Sequence, residues 1–241
     1  MLPVAILAGG LATRLRPITE RIPKSLVDVA GRPFVTWQLR YLQMQGVSKV
    51  VLCVGHLGEQ IRDLVRDGTQ FGLHVEYAFD GPRLLGTGGA LRRALPLLES
   101  AFFVLYGDSF LPIDFRAVER AFDSSGKAAL MTVLKNRNQW DKSNVHFEHG
   151  TVIEYNKHAP HPEMAYIDYG LSVISSGILT AYGDGEVFDL AEVLHRLSLT
   201  RALAGFEAEQ RFYEVGSREG LAETEAYLQT RRDLWNTRSS T

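Results

Sequence analysis

The first half of the chain alternates short apolar runs with segments of helical periodicity, and this alternation constrains the fold more than any other feature. Apolar runs predict buried strands at 3–9, 48–55, 73–79 and 101–109, and helical segments separate them. Strands that alternate with helices are joined by crossover connections, which give a mostly parallel sheet with helices on both faces. The pattern therefore predicts an α/β fold with a doubly wound, Rossmann-like sheet.

The second half contains more strands and predicts a small β-rich annex to that sheet. Two alternating segments around His149 and Gly150 predict a hairpin within 144–155. Because strands of this half extend the pattern of the first, we expect a mixed sheet. The other predicted elements are strands at 128–135 and 166–175, a helix at 190–199, a strand pair around "ALAGFEAE" and "RFYEVG", and a helix at 218–230.

Composition argues against several classes of protein. The net charge of -2 argues against a nucleic-acid-binding protein, which usually carries a basic surface. The single cysteine, Cys53, lies in the apolar run "KVVLCVG", which predicts a buried thiol and a reducing compartment. The apolar run at the N-terminus is too short to span a membrane, and no basic segment precedes it. We therefore expect a soluble, cytoplasmic protein that binds neither nucleic acid nor membrane.

The stretch "LAGGLATRLRPITERIPKSL", from Leu7 to Leu26, follows the first predicted strand and predicts a phosphate-binding loop. Open parallel sheets bind ligands at the carboxyl ends of their strands. Glycine lets main-chain N–H groups approach phosphate oxygens, while Arg14 and Lys24 supply positive charge. The spacing matches neither the Walker loop nor the dinucleotide fingerprint, so those two classes are disfavoured.

The same stretch resembles the signature of sugar-1-phosphate nucleotidylyltransferases, which reads L-x-G-G-x-G-T-R-L-x-P-x-T and is followed by P-K. Ala12 departs from it where the family has glycine, and its methyl group would crowd the nucleotide if that position needs a positive φ. The later segment "LGTGGAL" looks most like that of short members that transfer a guanylyl group to heptose or mannose 1-phosphate. The resemblance covers roughly residues 3 to 228.

Further segments resemble the family in the same order. They are "PRLLGTGGALRRAL", "FFVLYGDSF", "NQWDKSNVHFEHGTVIEYNK", "YIDYGLSV" and "RFYEVGSREGL". Two positions depart from the family pattern. Asn156 replaces the glutamate that precedes the sugar-phosphate lysine, and Glu214 stands where the family has the second metal-binding aspartate.

The resemblance implies a site for each substrate and for Mg²⁺. Arg14, Lys24 and Lys157 are the implied catalytic cations, and Asp108 and Glu214 are the implied metal ligands. The implied sugar-phosphate-binding residues are Gly107, Lys157, Asp168 and Gly170. The implied nucleotide-binding residues are Leu7, Ala8, Gly9, Gly10, Leu11, Ala12, Thr13, Arg14, Gly86, Thr87 and Gly88.

The implied activity is Mg²⁺-dependent transfer of a nucleotidyl group, GTP being the favoured donor, to a sugar 1-phosphate such as a heptose or mannose derivative. The products are pyrophosphate and a nucleotide sugar for glycan biosynthesis. We expect one domain over 1–241, with a nucleotide-binding half at 1–125, a sugar-phosphate-binding half at 126–230 and a tail at 231–241. By analogy with the family, the resemblance also implies self-association into a homo-oligomer.

Other interpretations stay open at this point. One is cytidylyl or uridylyl transfer to a different phosphorylated acceptor, and another is a non-catalytic sensor of nucleotide sugars. His158 and His161 in "KHAPHP" hint at a metal site, but the flanking prolines make the segment a loop and no third ligand is adjacent. The aromatic residues Phe34, Trp37 and Tyr41 recur at helical spacing, which favours a core position over a stacking platform.

Overall fold

A computed structural model describes residues 1–11 and 15–235 of the chain. Its main feature is a nine-stranded sheet, accompanied by two short ribbons of two strands each. In chain order the strands are β1 (Val4–Leu7), β2 (Asp28–Val29), β3 (Arg32–Pro33), β4 (Lys49–Val54), β5 (His74–Phe79), β6 (Ala101–Tyr106), β7 (Ser109–Phe110), β8 (Ala129–Lys135), β9 (Val145–Glu148), β10 (Thr151–Tyr155), β11 (Tyr166–Ser175), β12 (Leu203–Ala208) and β13 (Tyr213–Glu214).

Within the described residues the helices lie at predicted helical segments, except for α4 (Phe115–Ser125), which the sequence pattern did not predict. In chain order they are α1 (Phe34–Met44), α2 (Gly58–Val65), α3 (Gly86–Ala94), α4 (Phe115–Ser125), α5 (Leu190–Leu199) and α6 (Arg218–Thr230). Helix α3 ends just before Pro96 and continues as a short 3-10 turn, because proline removes a helical N–H and crowds the preceding turn. None of the helices in residues 1–11 and 15–235 has the length and apolar character needed to cross a membrane.

The strand order in the large sheet is β5-β4-β1-β6-β11-β8-β12-β10-β9. Strands β5, β4, β1 and β6 pair in parallel, whereas β11 runs antiparallel to both of its neighbours, β6 and β8. The sheet is therefore mixed: β5, β4, β1 and β6 form its parallel half, and the β-rich part of the chain extends it at one side with mostly antiparallel pairs. This confirms the predicted fold class.

Both faces of the sheet are covered, and successive residues of β1 show how. Val4 and Ile6 belong to a core that includes α1, α2, α4 and α6, while Ala5 belongs to a second core with α3 and α5. The predicted core stripe of Phe34, Trp37 and Tyr41 is buried in the first of these cores. Cys53 is buried in the second, as predicted, and burial raises the pKa of its thiol to about 12.

Two predictions for the second half have different outcomes. His149 and Gly150 both adopt positive φ values, 47° and 75°, at the turn between the antiparallel strands β9 and β10, so the predicted hairpin is confirmed. The strands β12 and β13, predicted as a pair, lie in different sheets: β12 joins β8 and β10, whereas β13 pairs with β7. That prediction was wrong because strand propensity does not specify a partner.

Candidate functional site

A cavity of about 260 Å³ opens at the carboxyl ends of the parallel strands β1, β4 and β6. Leu7 and Tyr106, the last residues of β1 and β6, line it together with Cys53, next to the last residue of β4. Three predicted nucleotide-binding residues, Ala8, Gly9 and Gly10, also line it. The cavity therefore lies where an open parallel sheet binds ligands.

One end of the cavity carries an ion pair. Lys24 Nζ lies 2.7 Å from Asp108 Oδ2, and both side chains are partly buried. Lys24 begins a 3-10 turn after Pro23, whereas Asp108 follows β6 through Gly107, so two distant segments meet here. The predicted residue Gly107 donates its N–H to Leu7 O, which ties the end of β6 to the end of β1. This end of the cavity is the part best suited to phosphate groups.

The predicted residues Ala12, Thr13 and Arg14 lie outside the described residues. Their roles in nucleotide binding, and the effect of alanine at position 12, therefore stay predictions. Leu11, which immediately precedes them, is exposed.

The other end of the cavity holds a carboxylate that the sequence reasoning did not select. Asp80, directly after β5, is 5% exposed and lines the cavity together with Leu84. Its Oδ2 accepts a hydrogen bond of 3.3 Å from the Leu85 N–H. Burial raises the pKa of Asp80, an effect that the Leu85 N–H and the charge of Arg93 partly oppose. A polar group placed at the end of a parallel strand is the signal that could have identified it.

The turn around Gly86, Thr87 and Gly88 forms a side of the cavity, but its glycines serve a purpose that the sequence did not reveal. A Cβ on Gly86 would lie 2.5 Å from Phe188 O, and one on Gly88 would lie 2.2 Å from the Phe188 ring. The Gly88 N–H donates to Phe188 O at 3.0 Å. Gly86 and Thr87 line the cavity, whereas Gly88 is committed to contact with the segment before α5.

A second group of predicted residues lies on β10, β11 and the loop between them. Asp168 Oδ1 accepts the N–H of Gly170, and the carboxylate also bonds to the buried Tyr155 hydroxyl. Gly170 lies at a register shift in β11 and has a φ of 100°, a value that residues with side chains rarely adopt. Burial raises the pKa of Asp168 to about 6, against the opposing effects of Gly170, Lys157 and Tyr155.

Lys157 is exposed and lies within a turn that the side chain of its neighbour Asn156 stabilises. Asn156 Oδ1 accepts the backbone N–H groups of His158, at 3.1 Å, and Ala159, at 2.9 Å. An asparagine at this position thus builds a local Asx-type turn, in place of the glutamate of the family pattern. Lys157 is close enough to Asp168 and Asp189 to lower the pKa of both carboxyl groups.

The two predicted metal ligands differ in their availability. Glu214 pairs with Ser109 across the β13–β7 ribbon, but its carboxylate accepts the Gly216 N–H and the Ser217 hydroxyl of its own loop. Asp108 faces the cavity with Lys24 as its partner. Within the described ranges no cluster of three or more His, Cys, Asp or Glu residues could hold a metal ion.

Asp108 on its own nevertheless fits the way proteins hold Mg²⁺. That ion keeps several waters and is often bound by one or two carboxylates together with substrate phosphates. Glu214 is less available, because each of its carboxylate oxygens already accepts a hydrogen bond, from the Gly216 N–H and from the Ser217 hydroxyl. The donor set therefore fits an ion that the substrate itself helps to bind.

Comparison with known proteins decides the family. A family model described as nucleotidyl transferase matches residues 4–145, which is more than half of the chain. The chain belongs to the nucleotidyl transferase family. This confirms the resemblance stated above, whose signature segment lies within the matched residues.

Two curated relatives and one crystal structure illustrate the range of this family. The chain is 41% identical over 113 residues to N-acetylmuramate alpha-1-phosphate uridylyltransferase of Neisseria meningitidis, a match that covers 46% of the chain and 49% of that relative, so it spans about half of that protein. It is 27% identical to D-glycero-alpha-D-manno-heptose 1-phosphate guanylyltransferase of Aneurinibacillus thermoaerophilus, over 93% of the chain and 97% of that protein. A crystal structure of HddC from Yersinia pseudotuberculosis complexed with GMP-PN matches 95% of this chain and 100% of the HddC chain, with a TM-score of 0.77 and 24% identity. The two proteins therefore share the same fold.

Proposed function

We propose that this nucleotidyl transferase family member transfers a nucleotidyl group from a nucleoside triphosphate, preferably GTP, to a sugar 1-phosphate of the heptose or mannose type, and releases pyrophosphate. The observation that carries the proposal is the Lys24–Asp108 pair beside the glycine loop, in a cavity at the ends of the parallel strands. An ammonium next to an available carboxylate can bind phosphate and a hydrated cation in one place.

The chemistry requires two anions to meet. A phosphate oxygen of the sugar 1-phosphate attacks the α-phosphorus of the triphosphate, a new P–O bond forms, and the bond to pyrophosphate breaks. The attacking oxygen is already anionic near neutral pH, so no strong general base is needed. Catalysis of this kind depends on positioning and on electrostatic stabilisation.

We assign the charges of the site accordingly. Lys24 binds and orients the triphosphate, Lys157 holds the acceptor phosphate, and Arg14 neutralises charge on the α-phosphoryl and pyrophosphate oxygens. Asp108 would hold Mg²⁺, which when bound supplies positive charge to the phosphate oxygens. Asp168, next to Lys157, accepts hydrogen bonds from hydroxyl groups of the acceptor.

The preference for guanine rests on Asp80. This carboxylate lies at the end of the cavity away from the Lys24–Asp108 pair, where the base would lie if the phosphates occupy the cationic end. Guanine presents two adjacent donors, N1–H and the N2 amino group, which an ionised carboxylate can accept together. Uracil presents one N–H between two carbonyl groups, which a carboxylate would repel. Among residues 1–11 and 15–235, Leu85 is the one hydrogen-bond donor found for this side chain.

The test of the activity is a pyrophosphate-release assay with Mg²⁺. It crosses GTP, UTP, CTP, ATP and dTTP with the 1-phosphates of glucose, mannose, galactose, N-acetylglucosamine and manno-heptose. Asp108→Ala is the inactive control, and Asp123→Ala, on the exposed face of α4, is the matched control that should remain active. Release with one pair in the wild type but not in Asp108→Ala supports the proposal. Nucleotide binding without release from any pair would favour the sensor interpretation.

The base preference has a separate test in Asp80→Asn. An asparagine offers one acceptor and one donor, which complement N3–H and O4 of uracil but only one of the two guanine donors. We expect calorimetry to show GTP binding weakened about tenfold and UTP binding strengthened, since each mismatched buried polar contact costs about 1–3 kcal/mol. An unchanged ratio of the two affinities would remove Asp80 from base recognition.

A further inference from the structure

Thr87 and Asp189 form a hydrogen-bonded joint between the two halves of the chain. The Thr87 hydroxyl donates to Asp189 Oδ1 at 2.6 Å and accepts the N–H of Leu190 at 2.8 Å. Asp189 is the N-cap of α5 and also accepts the N–H of Ala191 at 3.0 Å. Thr87, which lines the nucleotide cavity, therefore completes the capping of a helix that lies about a hundred residues later in the chain.

Backbone hydrogen bonds connect the same two helix starts in addition to the Thr87–Asp189 bond, and together they hold the two segments more firmly than one bond would. Phe188 O accepts the N–H groups of Gly88 and Gly89 at the start of α3, and the Phe188 N–H donates to Leu85 O at 3.1 Å. Phe188, just before α5, thus caps the start of α3, and Thr87, in the first turn of α3, caps the start of α5. The close approach of Phe188 to Gly88 leaves no room for a side chain at that glycine.

Asp189 also interacts electrostatically with Lys157, the lysine proposed to bind the acceptor phosphate. Asp189 remains ionised more readily than an ordinary aspartate: burial alone would raise its pKa, but the Thr87 hydroxyl, the Ala191 N–H and the charges of Lys157 and His158 lower it. Helix α5 further holds the end of β10, two residues before this lysine, because Ser198 Oγ accepts the Tyr155 N–H and His195 Nδ1 bonds to Tyr155 O. One helix therefore links the cavity wall to the segment of Lys157.

We infer that Thr87 and Asp189 are positioning residues that couple nucleotide binding in the cavity to the placement of Lys157 for the acceptor phosphate. A nucleotide that fixes the turn around Thr87 also fixes the start of α5, because the Thr87 hydroxyl bonds to Asp189 and Leu190. It thereby fixes the position of the Asp189 carboxylate, whose charge attracts Lys157. The inference rests on the proposed function and names the residues through which its two substrates communicate.

Thr87→Val tests the joint, because valine keeps the shape of threonine and removes the hydroxyl. We expect the KM for the sugar 1-phosphate to rise about tenfold, because the loss of one charge-assisted hydrogen bond is of that size, and to rise more than the calorimetric Kd for GTP. Thr87→Ser keeps the hydroxyl and should restore the KM. Thr36→Val in α1 is the matched control, since Thr36 also donates its hydroxyl, to the backbone oxygen of Pro33 just before the helix, and does not line the cavity.

A second readout does not depend on turnover. In the wild type, GTP should slow hydrogen exchange of the Leu190 and Ala191 amides, and in Thr87→Val this protection should disappear while GTP still binds. An equal change in GTP affinity and acceptor KM, no rescue by serine, or GTP protection that persists in the valine variant would each overturn the inference. If the wild type turns over none of the substrate pairs, the proposed function fails, and the exchange experiment alone decides the coupling.

Discussion

Replacing Asp168 by asparagine should stabilise the folded protein at pH values above about 6. Asp168 is a partly buried carboxylate that is held in place by the Gly170 N–H and the Tyr155 hydroxyl. Its pKa is raised from 3.8 to about 6, and burial is the largest cause. Asparagine can accept the same N–H through its amide oxygen and can donate to the tyrosine oxygen through its amide nitrogen. The variant therefore removes the buried charge while leaving both contacts possible.

The size of the effect follows from the two pKa values. One unit corresponds to 1.36 kcal/mol, so ionisation of Asp168 costs the folded state about 3 kcal/mol once the pH lies above both values. Between pH 4 and 6 the folded protein binds more protons at this site than the unfolded chain, so the wild type loses stability there as the pH rises. Asparagine does not titrate. The advantage of Asp168→Asn should therefore grow from less than about 1 kcal/mol at pH 4 to about 3 kcal/mol at pH 8.

Thermal unfolding at several pH values measures this difference. For a chain of this size, about 3 kcal/mol corresponds to a rise in Tm of about 6–12 °C at pH 8. Asp123→Asn, on the exposed face of α4, controls for the general effect of removing a carboxylate. A Tm difference that does not change with pH, or a variant that is less stable at pH 8, would refute the reasoning. We also expect the variant to bind the acceptor more weakly, so that the buried carboxylate trades stability for function.

Two further substitutions test the cavity and its wall. Lys24→Met should lower turnover in the pyrophosphate assay by about 10²–10³-fold, because it removes a preorganised electrostatic contact. The control Lys49→Met, at the start of β4, should leave turnover unchanged. A near-wild-type rate for Lys24→Met would contradict the role assigned to Lys24. Gly88→Ala should destabilise the protein by about 1–3 kcal/mol, because the new methyl group meets the Phe188 ring, whereas Gly177→Ala, which meets nothing within 4 Å, should change Tm little in the same scan.

The parallel core was predictable because its strands are buried on both faces. Strands β1, β4 and β6 read as continuous apolar runs, and this pattern depends on burial alone. The hairpin at His149 and Gly150 was predictable for a different local reason, since a tight turn needs residues that tolerate positive φ. In each case the information lies within a few residues of the element.

Contacts between distant segments were not predictable in the same way. From the sequence we predicted that the glycines of "GTGG" contact a nucleotide, whereas in the structure Phe188 packs against Gly88. Asp189 carries the signature of an N-cap before a helical run, so its helix could be located, but nothing local indicates that its carboxylate would receive the Thr87 hydroxyl. The partner of β13 was missed for the same reason: pairing is decided by packing in three dimensions.

Under the proposed function, the Lys24–Asp108 pair would prepare a site for two anionic substrates in a chain of net negative charge. An unpaired ammonium in a partly buried cavity would be costly, and so would an unpaired carboxylate, but at 2.7 Å each stabilises the other. Phosphate groups that bind Lys24 would release Asp108 from this pair and leave it free to take a cation. Removal of Asp108 therefore does more than delete a metal ligand, because it also leaves Lys24 without its partner. A variant of this kind can bind the triphosphate tightly through Lys24 and still fail in the reaction, so binding and turnover must be measured separately to interpret any substitution at this end of the cavity.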